Sequence, residues 1–523
     1  MLLTLVILAV FSPTKPLAIM GTGSVANVLS PADTVTTDYL NIRINSVTTN
    51  IQNEEQIVIN PRDSLNMVAV WRDFRLGYRQ VGVGYTLDGG NTWHDTLFAG
   101  TPYAWDSDPA ITVDDSGNFY AVVLSLPSDA STSGIFVFKS SDGGVSWQGP
   151  YTVVDAHTSA FEDKEWITCD ASPYSPYRGN LYVAWTRFYD YTNGGIDFTR
   201  STDGGETWSQ FIRLSSETYG VQWPVLTVDD SGVVYVAWMN YYMSRLEMTK
   251  STDGGITFSA PGTITDLFDG GWYTINPDLV VISYPAIKAD VSPQSPYIGN
   301  LYVVFMDSTA HNGTDIFFMK STDGGDSWST PTRLNDDIQG IVRDQFHPWI
   351  DVDQNGVITV IFYDRRNDPH NRLMDVYLTQ SFDGGETWTP NVRVTSVSSD
   401  PAAGSKSGLI GEYIGLDTWN GKPFMVWTDT REGTQDVYFG KDTVTTNVVE
   451  TPVYGGKIGL KSNVVKNSIT LNGMPQHPPV IYSFDGRKIR VFHARRMNYR
   501  ITDLPPGVYF IRIDGTYTRF LKI

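Results

Sequence analysis

The stretch "RSTDGGETW" at residues 200–208 recurs along the chain in near-identical form. The other five copies are "YTLDGGNTW" (85–93), "KSSDGGVSW" (139–147), "KSTDGGITF" (250–258), "KSTDGGDSW" (320–328) and "QSFDGGETW" (380–388). A motif that returns every 50–70 residues or so indicates a repeat protein whose unit is longer than the motif itself. An acidic turn that occurs once per unit has one of three roles: metal site, catalytic group or scaffold. The residues in the rest of the unit distinguish between these roles.

Each turn is preceded by two further runs with strand character, as in "WPVLTVDDSGVVYVAWMNY" (223–241). The unit is therefore strand A, turn, strand B, loop, strand C, acidic turn and strand D, which is typical of a β-propeller blade. Strands A and B predict seven units, although the acidic turns alone would give six blades. The units begin near Glu54, Asp108, Glu162, Trp223, Tyr284, Phe346 and Glu412.

The seventh unit ends after its third strand and lacks an acidic turn. The run "NIRIN" (41–45) resembles the outer strand "NVRVT" (391–395). We therefore predict that residues 40–49 supply the missing fourth strand and close the ring, which also removes an open sheet edge.

The repeated motif resembles the Asp-box (BNR repeat) of sialidase-like β-propellers, over roughly residues 40–440. Gly90, Gly144 and Gly205 permit the positive φ of such a turn, and the aspartates can accept backbone N–H bonds across it. A catalyst needs one or two carboxylates and not six in a ring, so we predict that the turns are scaffolding. The related stretch "DVDQNG" (351–356) has Phe362 where a calcium loop needs glutamate, and we expect a hairpin there.

Charge is distributed unevenly along the chain, whose net charge is −19. Residues 454–523 carry 12 basic and 3 acidic side chains (+9), whereas the remainder carries 26 and 54 (−28). The strongly negative charge of the residues outside 454–523 argues against a nucleic-acid partner. Cys169, the single cysteine, is predicted to be a buried apolar residue.

The two ends of the chain read as export signals. We predict a signal peptide at 1–21, a linker at 22–39, the propeller at 40–441, a second linker at 442–453 and a C-terminal domain at 454–523. The apolar "MLLTLVILAVF" is too short to span a bilayer. The runs "FDGRKIRVF" (484–492) and "LPPGVYFIRI" (504–513) resemble the C-terminal sorting domain of type IX secretion, a small β-sandwich. The resemblance implies that secretion machinery is a partner and that the protein is secreted or displayed on the outer membrane by way of the periplasm.

Candidate site residues gather in the D–A and B–C loops, which share one face of a propeller. Asp-x-Arg pairs close three B strands: Asp73 with Arg75, Asp364 with Arg366, and Asp429 with Arg431. Units six, seven and one become neighbours on closure, so these arginines could grip an anionic ligand, with Arg72, Arg187 and Glu165 as further binding residues. The alternative is that each pair braces its own loop.

The sialidase resemblance implies an arginine clamp, a tyrosine nucleophile paired with glutamate, and an aspartate acid/base. Their counterparts here are Glu412 with Tyr413, and Asp108 or Asp344. The family's Arg-Ile-Pro motif is absent, and adjacent strand residues such as 412 and 413 should point apart. Two functions remain open: a sialidase-like glycoside hydrolase acting on extracellular glycans or glycoproteins, and a non-catalytic propeller that binds glycan or protein. No cofactor is implied, and structural calcium has no support from the residues.

Overall fold

A computed structural model describes residues 39–156, 160–189, 194–215, 220–268, 271–276, 278–309, 313–403 and 409–443, and shorter stretches between 464 and 522. Every regular element in these residues is a β-strand. They fall into two compact units: those within Met1–Leu378 and Arg393–Asp442, and those within Thr379–Val392 and Thr443–Ile523.

The first strand, β1 (Tyr39–Arg43), is followed by three four-stranded sheets in which consecutive strands are neighbours. Sheet 1 contains β2 (Gln52–Asn60), β3 (Asp63–Asp73), β4 (Gln80–Thr86) and β5 (His94–Leu97). Sheet 2 contains β6 (Trp105–Val113), β7 (Phe119–Leu126), β8 (Ser133–Ser140) and β9 (Gln148–Ala156). Sheet 3 contains β10 (Phe161–Cys169), β11 (Leu181–Phe188), β12 (Gly194–Ser201) and β13 (Ile212–Arg213). Their successive strands are antiparallel.

Three further sheets repeat this order, with one insertion. Sheet 4 contains β14 (Val221–Val228), β15 (Val234–Asn240), β16 (Arg245–Ser251) and β17 (Gly262–Asp266). A hairpin of β18 (Trp272–Ile275) and β19 (Leu279–Ile282) is inserted next. Sheet 5 contains β20 (Ala286–Ala289), β21 (Leu301–Thr309), β22 (Gly313–Ser321) and β23 (Thr332–Arg333). Sheet 6 contains β24 (Gln345–Val352), β25 (Ile358–Asp364), β26 (Asp375–Ser381) and β27 (Val392–Arg393).

Sheet 7 joins the two ends of this part of the chain. It contains β28 (Gly415–Trp419), β29 (Lys422–Asp429) and β30 (Asp436–Asp442), and its fourth strand is β1. The pairing of β1 with β30 is antiparallel and places Asn41 opposite Gly440. This confirms the prediction that the N-terminal run completes the seventh unit.

The first strands of the seven sheets contact one another in a cycle. Contacts run from β2 to β6, β10, β14, β20, β24 and β28, and from β28 back to β2. Four-stranded sheets arranged cyclically about their first strands are the arrangement of a β-propeller. Apolar residues between adjacent sheets form the core, which includes the fully buried Trp71, Trp185, Trp238 and Trp427 and the buried Cys169.

The acidic turns hold their carboxylates in local hydrogen bonds. In the Arg200–Trp208 stretch, Asp203 accepts hydrogen bonds from the Thr207 amide (3.0 Å) and from the Ser201 hydroxyl (2.7 Å). The Gly205 amide donates to Ser201 Oγ (2.9 Å), and φ at this glycine is 87°. The side chain that closes such a turn packs onto the neighbouring sheet, as Trp93 does against Phe439 with ring centroids 5.2 Å apart. These contacts are those of a scaffold. At "DVDQNG" the Asp353 carboxylate likewise accepts the Val357 amide (2.9 Å) across the predicted hairpin.

The second unit contains two sheets from the C-terminal residues. The five-stranded sheet has the order β31 (Val464–Val465), β37 (Thr516–Lys522), β36 (Gly507–Ile513), β33 (Val480–Ser483) and β34 (Lys488–Val491). The other sheet pairs β32 (Ser468–Thr470) with β35 (Asn498–Arg500). Ile469 and Tyr499 from the small sheet pack with Ile481 and Ile511 from the large one.

Candidate functional site

One position in each first strand, or just before it, supplies a side chain to the centre of the cycle. It lies two residues before the residue at which pairing with the second strand continues, for example Gln56 with Val70. The seven residues at this position, here called the central ring, are Glu54, Asp108, Lys164, Trp223, Tyr284, His347 and Tyr413. Five of them have left-handed φ values between 48° and 64° at a β-bulge. Such strained backbone in non-glycine residues is found disproportionately at functional sites.

Lys164 makes the central ion pairs. Its Nζ lies 2.8 Å from Asp108 Oδ2, and it also donates a hydrogen bond to Glu412 Oε2. Sheets 3 and 7 are not neighbours in the cycle, so the second contact crosses the centre. The ammonium group also lies 4.6 Å from the centroid of the Trp223 ring. One buried cation therefore joins two buried carboxylates and an aromatic face.

Aromatic rings fill the other side of the centre. Trp166 contacts Trp349 (centroids 4.8 Å apart) and meets Tyr413 edge-on at 5.5 Å. Tyr284 stacks with Trp223 at 5.8 Å. These rings come from five different sheets, and together they close the middle of the cycle with apolar surface.

A pocket lies where the charged and aromatic groups meet. It is lined by Asp108, Lys164, Glu165, Trp166, Trp223, Pro224, Val225, Tyr284, Trp349 and Tyr413. Its cavity volume, 20 Å³ for the centre of a water molecule, is enough for one or two waters. A larger ligand can therefore insert only a small group unless the lining side chains shift.

Several buried polar atoms of the pocket have no hydrogen-bond partner among the described residues. They are both carboxyl oxygens of Glu165 and the hydroxyl of Tyr284. A buried donor or acceptor without a partner is costly, and native proteins retain few of them. A ligand that reached these atoms would supply the hydrogen bonds that they lack.

The two carboxyl groups of the pocket have opposite protonation behaviour. Burial raises the pKa of Glu165 well above its ordinary value, which favours the uncharged carboxyl. Burial alone would also raise the pKa of Asp108, but the charges of Lys164 and Arg72 bring it below its ordinary value. Asp108 is therefore ionised. One acid and one carboxylate in the same pocket are a typical arrangement for proton-transfer chemistry.

The structure places four of the sequence-predicted residues at this centre. Asp108, Glu165 and Tyr413 line the pocket, and Glu412 is bound to Lys164. The Tyr413 hydroxyl donates to the carbonyl oxygen of Pro109 (3.1 Å), and burial raises its pKa well above 10. Tyr413 is therefore held as a neutral hydrogen-bond donor, which makes it a poor nucleophile.

The arginines of the Asp-x-Arg pairs make the contacts expected if each pair braces its own loop. Arg75 pairs with Asp73 (2.7 Å) and with Asp95 (2.6 Å) on β5, the fourth strand of sheet 1. Arg431 pairs with Asp429 (2.6 Å) and with Asn41 (3.2 Å) on β1, the fourth strand of sheet 7. Because both guanidinium groups extend toward outer strands, the anion clamp predicted from the sequence does not form at the centre.

Arg366 and its partners follow the same pattern. It pairs with Asp364 (2.7 Å) and also with Asp336 in the preceding loop. The Trp71 and Trp427 indole groups donate to the Asp73 and Asp429 carboxylates, which therefore hold both ends of a brace. The same arrangement of indole, carboxylate and guanidinium groups occurs in the neighbouring sheets 1 and 7. This repetition indicates a structural feature that is copied with the repeat.

The remaining predicted residues lie in different surroundings. Arg187 braces sheet 3 through Glu162 (2.6 Å). Asp344 accepts a hydrogen bond from Asn371 (2.6 Å) and is not among the residues that line the pocket. Arg72 lies near the centre, where it pairs with Glu54 at 2.9 Å. Among the predicted arginines, Arg72 is thus the one that lies beside the pocket.

Sequence reasoning did not single out Lys164, Tyr284 or Trp349 as site residues. A usable signal was present, because proline follows the central-ring residue in four units: at 109, 224, 285 and 348. This proline marks the central-ring position in those four units, but Glu165 follows Lys164, so the signal does not reach Lys164.

Comparisons with known proteins identify no family. No family model matches the chain, and no curated protein matches it. Solved structures with partial likeness include a protein of unknown function from Dyadobacter fermentans (15% identity, 63% of this chain and 95% of that one, TM-score 0.42). Others are an α-L-arabinanase from Penicillium chrysogenum (12%, 76% and 97%, 0.43) and the Hadza microbial sialidase Hz136 (16%, 60% and 63%, 0.41). At these identities and TM-scores, the likenesses assign neither activity nor substrate.

Within the part of the chain that the structure describes, no helix has the length and apolar character needed to span a membrane.

Proposed function

We propose that the seven four-stranded sheets are the blades of a seven-bladed Asp-box propeller and that its central pocket hydrolyses glycosidic bonds. The observation that carries this proposal is the pair of carboxyl groups in one aromatic-lined pocket: Glu165, whose uncharged form is favoured by burial, and Asp108, whose carboxylate lies 2.8 Å from the Lys164 ammonium group. Glycoside hydrolysis uses two carboxyl groups in these two states.

In this proposal Glu165 is the general acid. Its proton goes to the glycosidic oxygen as the bond to the anomeric carbon breaks, so the leaving sugar departs as a neutral alcohol. Asp108 accepts a proton from the water that attacks the anomeric carbon. Lys164, 2.8 Å away, keeps Asp108 ionised and orients its carboxylate.

The sialidase form of this proposal would need cations that are free to bind the sialic acid carboxylate. Arg75, Arg366 and Arg431 are each paired with the aspartate of their own sheet. A sialic acid substrate would thus have to exchange those pairs, and the tyrosine and glutamate predicted for catalysis are both engaged elsewhere.

A second function, binding of a glycan or protein without catalysis, is favoured by two observations. The ion pair with Lys164 engages the carboxylate of Asp108, and the cavity has room for only one or two waters. A binding site would use the aromatic rings and the polar atoms without partners, and it would tolerate loss of Asp108.

The test is glycan turnover by the full chain. The protein is incubated with mixed neutral and sialylated glycans, and released sugars are read by mass spectrometry. Release that disappears in both Glu165→Gln and Asp108→Asn supports hydrolysis at this pocket. Release that survives both substitutions would place catalysis elsewhere, and binding without any release would select the second function.

We also propose that the protein is exported, with the C-terminal residues as a type IX sorting domain. The support is the sequence pattern around 484–513 and the basic character of that region. Deletion of 454–523 should retain the protein in the periplasm of a host with this secretion system, and fractionation with an antibody to the first unit checks the result.

A further inference from the structure

We propose that the central pocket recognises an uncharged sugar residue and discriminates against acidic sugars. The inference rests on the proposed function in one respect, that the ligand is a glycan. It goes beyond it by naming the substrate class, which the charges and the unpartnered polar atoms of the pocket define.

The first argument is the absence of an available cation. Among the described residues that line the pocket, Lys164 is the one cationic group, and it already contacts Asp108 and Glu412. Nearby, Arg72 lies 2.9 Å from Glu54 and also donates to the Asn53 side chain (2.8 Å). A ligand carboxylate that took Asp108 or Glu412 away from Lys164 would leave a buried carboxylate of the protein without its counter-ion, which is strongly unfavourable.

Like-charge repulsion adds to this cost. Asp108 is ionised, and Glu412 shares the Lys164 ammonium group, so this ammonium group already has two carboxylate partners. An acidic sugar would bring a third negative charge into a buried setting, where charges interact more strongly than in water. Recognition of sialic or uronic acids is consequently disfavoured.

The second argument is the kind of hydrogen-bonding atom that is left unpaired. The Tyr284 hydroxyl can donate and accept, and the uncharged form of the Glu165 carboxyl, which burial favours, can do both. Sugar hydroxyl groups also donate and accept, so they can satisfy both residues without any change of charge. A site built to pair with hydroxyl groups rejects ligands that lack them, because its own polar atoms then stay unpaired.

Aromatic surface and volume complete the match. Trp166, Trp349 and Tyr413 offer ring surfaces beside the polar atoms, and the C–H faces of a neutral sugar are apolar enough to contact them. A cavity of 20 Å³ admits one hydroxyl or hydroxymethyl group while the ring of the sugar stays above it.

Matched oligosaccharides test the proposal. The full chain is titrated at pH 7 with lacto-N-neotetraose, which ends in galactose, and with the same glycan capped by sialic acid. Neutral oligosaccharides ending in mannose, fucose or arabinose extend the series. Saturation-transfer NMR reports binding, and mass spectrometry reports release on the same samples.

Two variants assign the binding to the pocket. Tyr284→Phe removes the unpartnered hydroxyl and keeps the ring, and it should weaken binding of the preferred neutral glycan about fivefold to tenfold. Tyr242→Phe, at a side chain that is 70% exposed and outside the lining, is the matched control and should leave binding unchanged. Circular dichroism verifies that both variants fold.

The outcomes separate this inference from the proposed function. Binding of at least one neutral glycan, weakened by Tyr284→Phe and abolished or strongly reduced by the acidic cap, supports the inference whether or not sugar is released. Neutral binding without release would overturn hydrolysis alone. Preferential binding of the sialylated glycan, binding of no neutral glycan, or binding insensitive to Tyr284→Phe would overturn the neutral-sugar inference.

Discussion

Lys164 Nζ lies 2.8 Å from Asp108 Oδ2, and these residues occupy the same strand position in adjacent sheets. The repeat therefore supplies the geometry, and a change of residue type within the repeat supplies the chemistry. Glu412 reaches the same ammonium group from across the cycle. Because all three groups are buried, the cluster is both a structural joint and the electrostatic control of Asp108.

We expect Lys164→Met to destabilise the first compact unit, which contains all seven first strands, by about 3–5 kcal/mol, because it leaves two buried carboxylates without their cation. Urea unfolding followed by tryptophan fluorescence measures the change. Lys250→Met is the matched control, since Lys250 pairs with Asp326, which is 71% exposed in its side chain. That variant should lose at most about 1 kcal/mol. Equal effects of the two substitutions would contradict the role assigned to Lys164.

We expect Glu165→Gln to lower turnover by about 10²–10⁴-fold without loss of folding, because glutamine cannot donate the proton. In the parent protein, activity should persist through neutral pH and fall at alkaline pH, since burial raises the pKa of Glu165. Turnover across a pH series, with thermal unfolding as the folding check, provides the measurement. An unchanged alkaline limb in a still-active Glu165→Gln protein would show that another group is the acid.

Much of the fold could be predicted from the sequence, because the acidic turns and strand alternation are local patterns. The missing fourth strand was recoverable for the same reason: "NIRIN" has the residue pattern of an outer strand, and β1 pairs with β30 as predicted. The uncertainty between six and seven units arose because one unit carries no acidic turn.

The candidate site was harder to predict from the sequence, because it depends on contacts across the centre of the cycle. Lys164 is 248 residues from Glu412, and no local pattern announces their pairing. Conversely, the Asp-x-Arg pattern was conspicuous, yet its arginines extend outward, as Arg75 does to Asp95. The direction of such an arginine side chain depends on whether the nearest carboxylate lies at the centre or on an outer strand. The sequence alone did not show which of these carboxylates is nearer.

We expect Asp203→Asn to lower the melting temperature by about 1–3 °C and to leave glycan binding and turnover unchanged. Its hydrogen bonds lie within its own turn. Burial acts to raise the pKa of Asp203, but the hydrogen bonds, first those from the Thr207 hydroxyl and amide, together lower it to about 2. Differential scanning calorimetry and the glycan assay check the two halves of this prediction. Loss of activity with an unchanged melting temperature would reject the scaffold role.

We expect Asn41→Ala to destabilise the first unit by about 2 kcal/mol, because Asn41 links β1 to the preceding sheet. Its side chain donates to the Val394 carbonyl (3.0 Å) and accepts from the Ser396 amide (2.8 Å). Gln210→Ala, at an exposed side chain, is the control and should change stability by less than about 0.5 kcal/mol. Hydrogen exchange of β30 amides should rise only in Asn41→Ala, and protection equal to that of the parent would show that β1 is held by other contacts.

His347 should make the first unit less stable in acid. It is buried among Phe346, Tyr363 and Tyr284, neither ring nitrogen has a hydrogen-bond partner among the described residues, and burial lowers its pKa from 6.5 to about 3. The folded state therefore keeps the ring neutral, whereas the unfolded chain takes up a proton below pH 6.5. The resulting stability is present above pH 6.5 and is lost as pH falls, by about 2 kcal/mol at pH 5.

The substitution His347→Asn isolates this contribution, because asparagine tolerates the left-handed φ of 48° and does not titrate. Lost ring packing should lower its stability at every pH, but the difference between pH 8 and pH 5 should shrink by about 2 kcal/mol relative to the parent. Urea unfolding at the two pH values gives this difference directly. Other buried groups titrate identically in both proteins and cancel, so an unchanged difference would mean that His347 is protonated in the folded state.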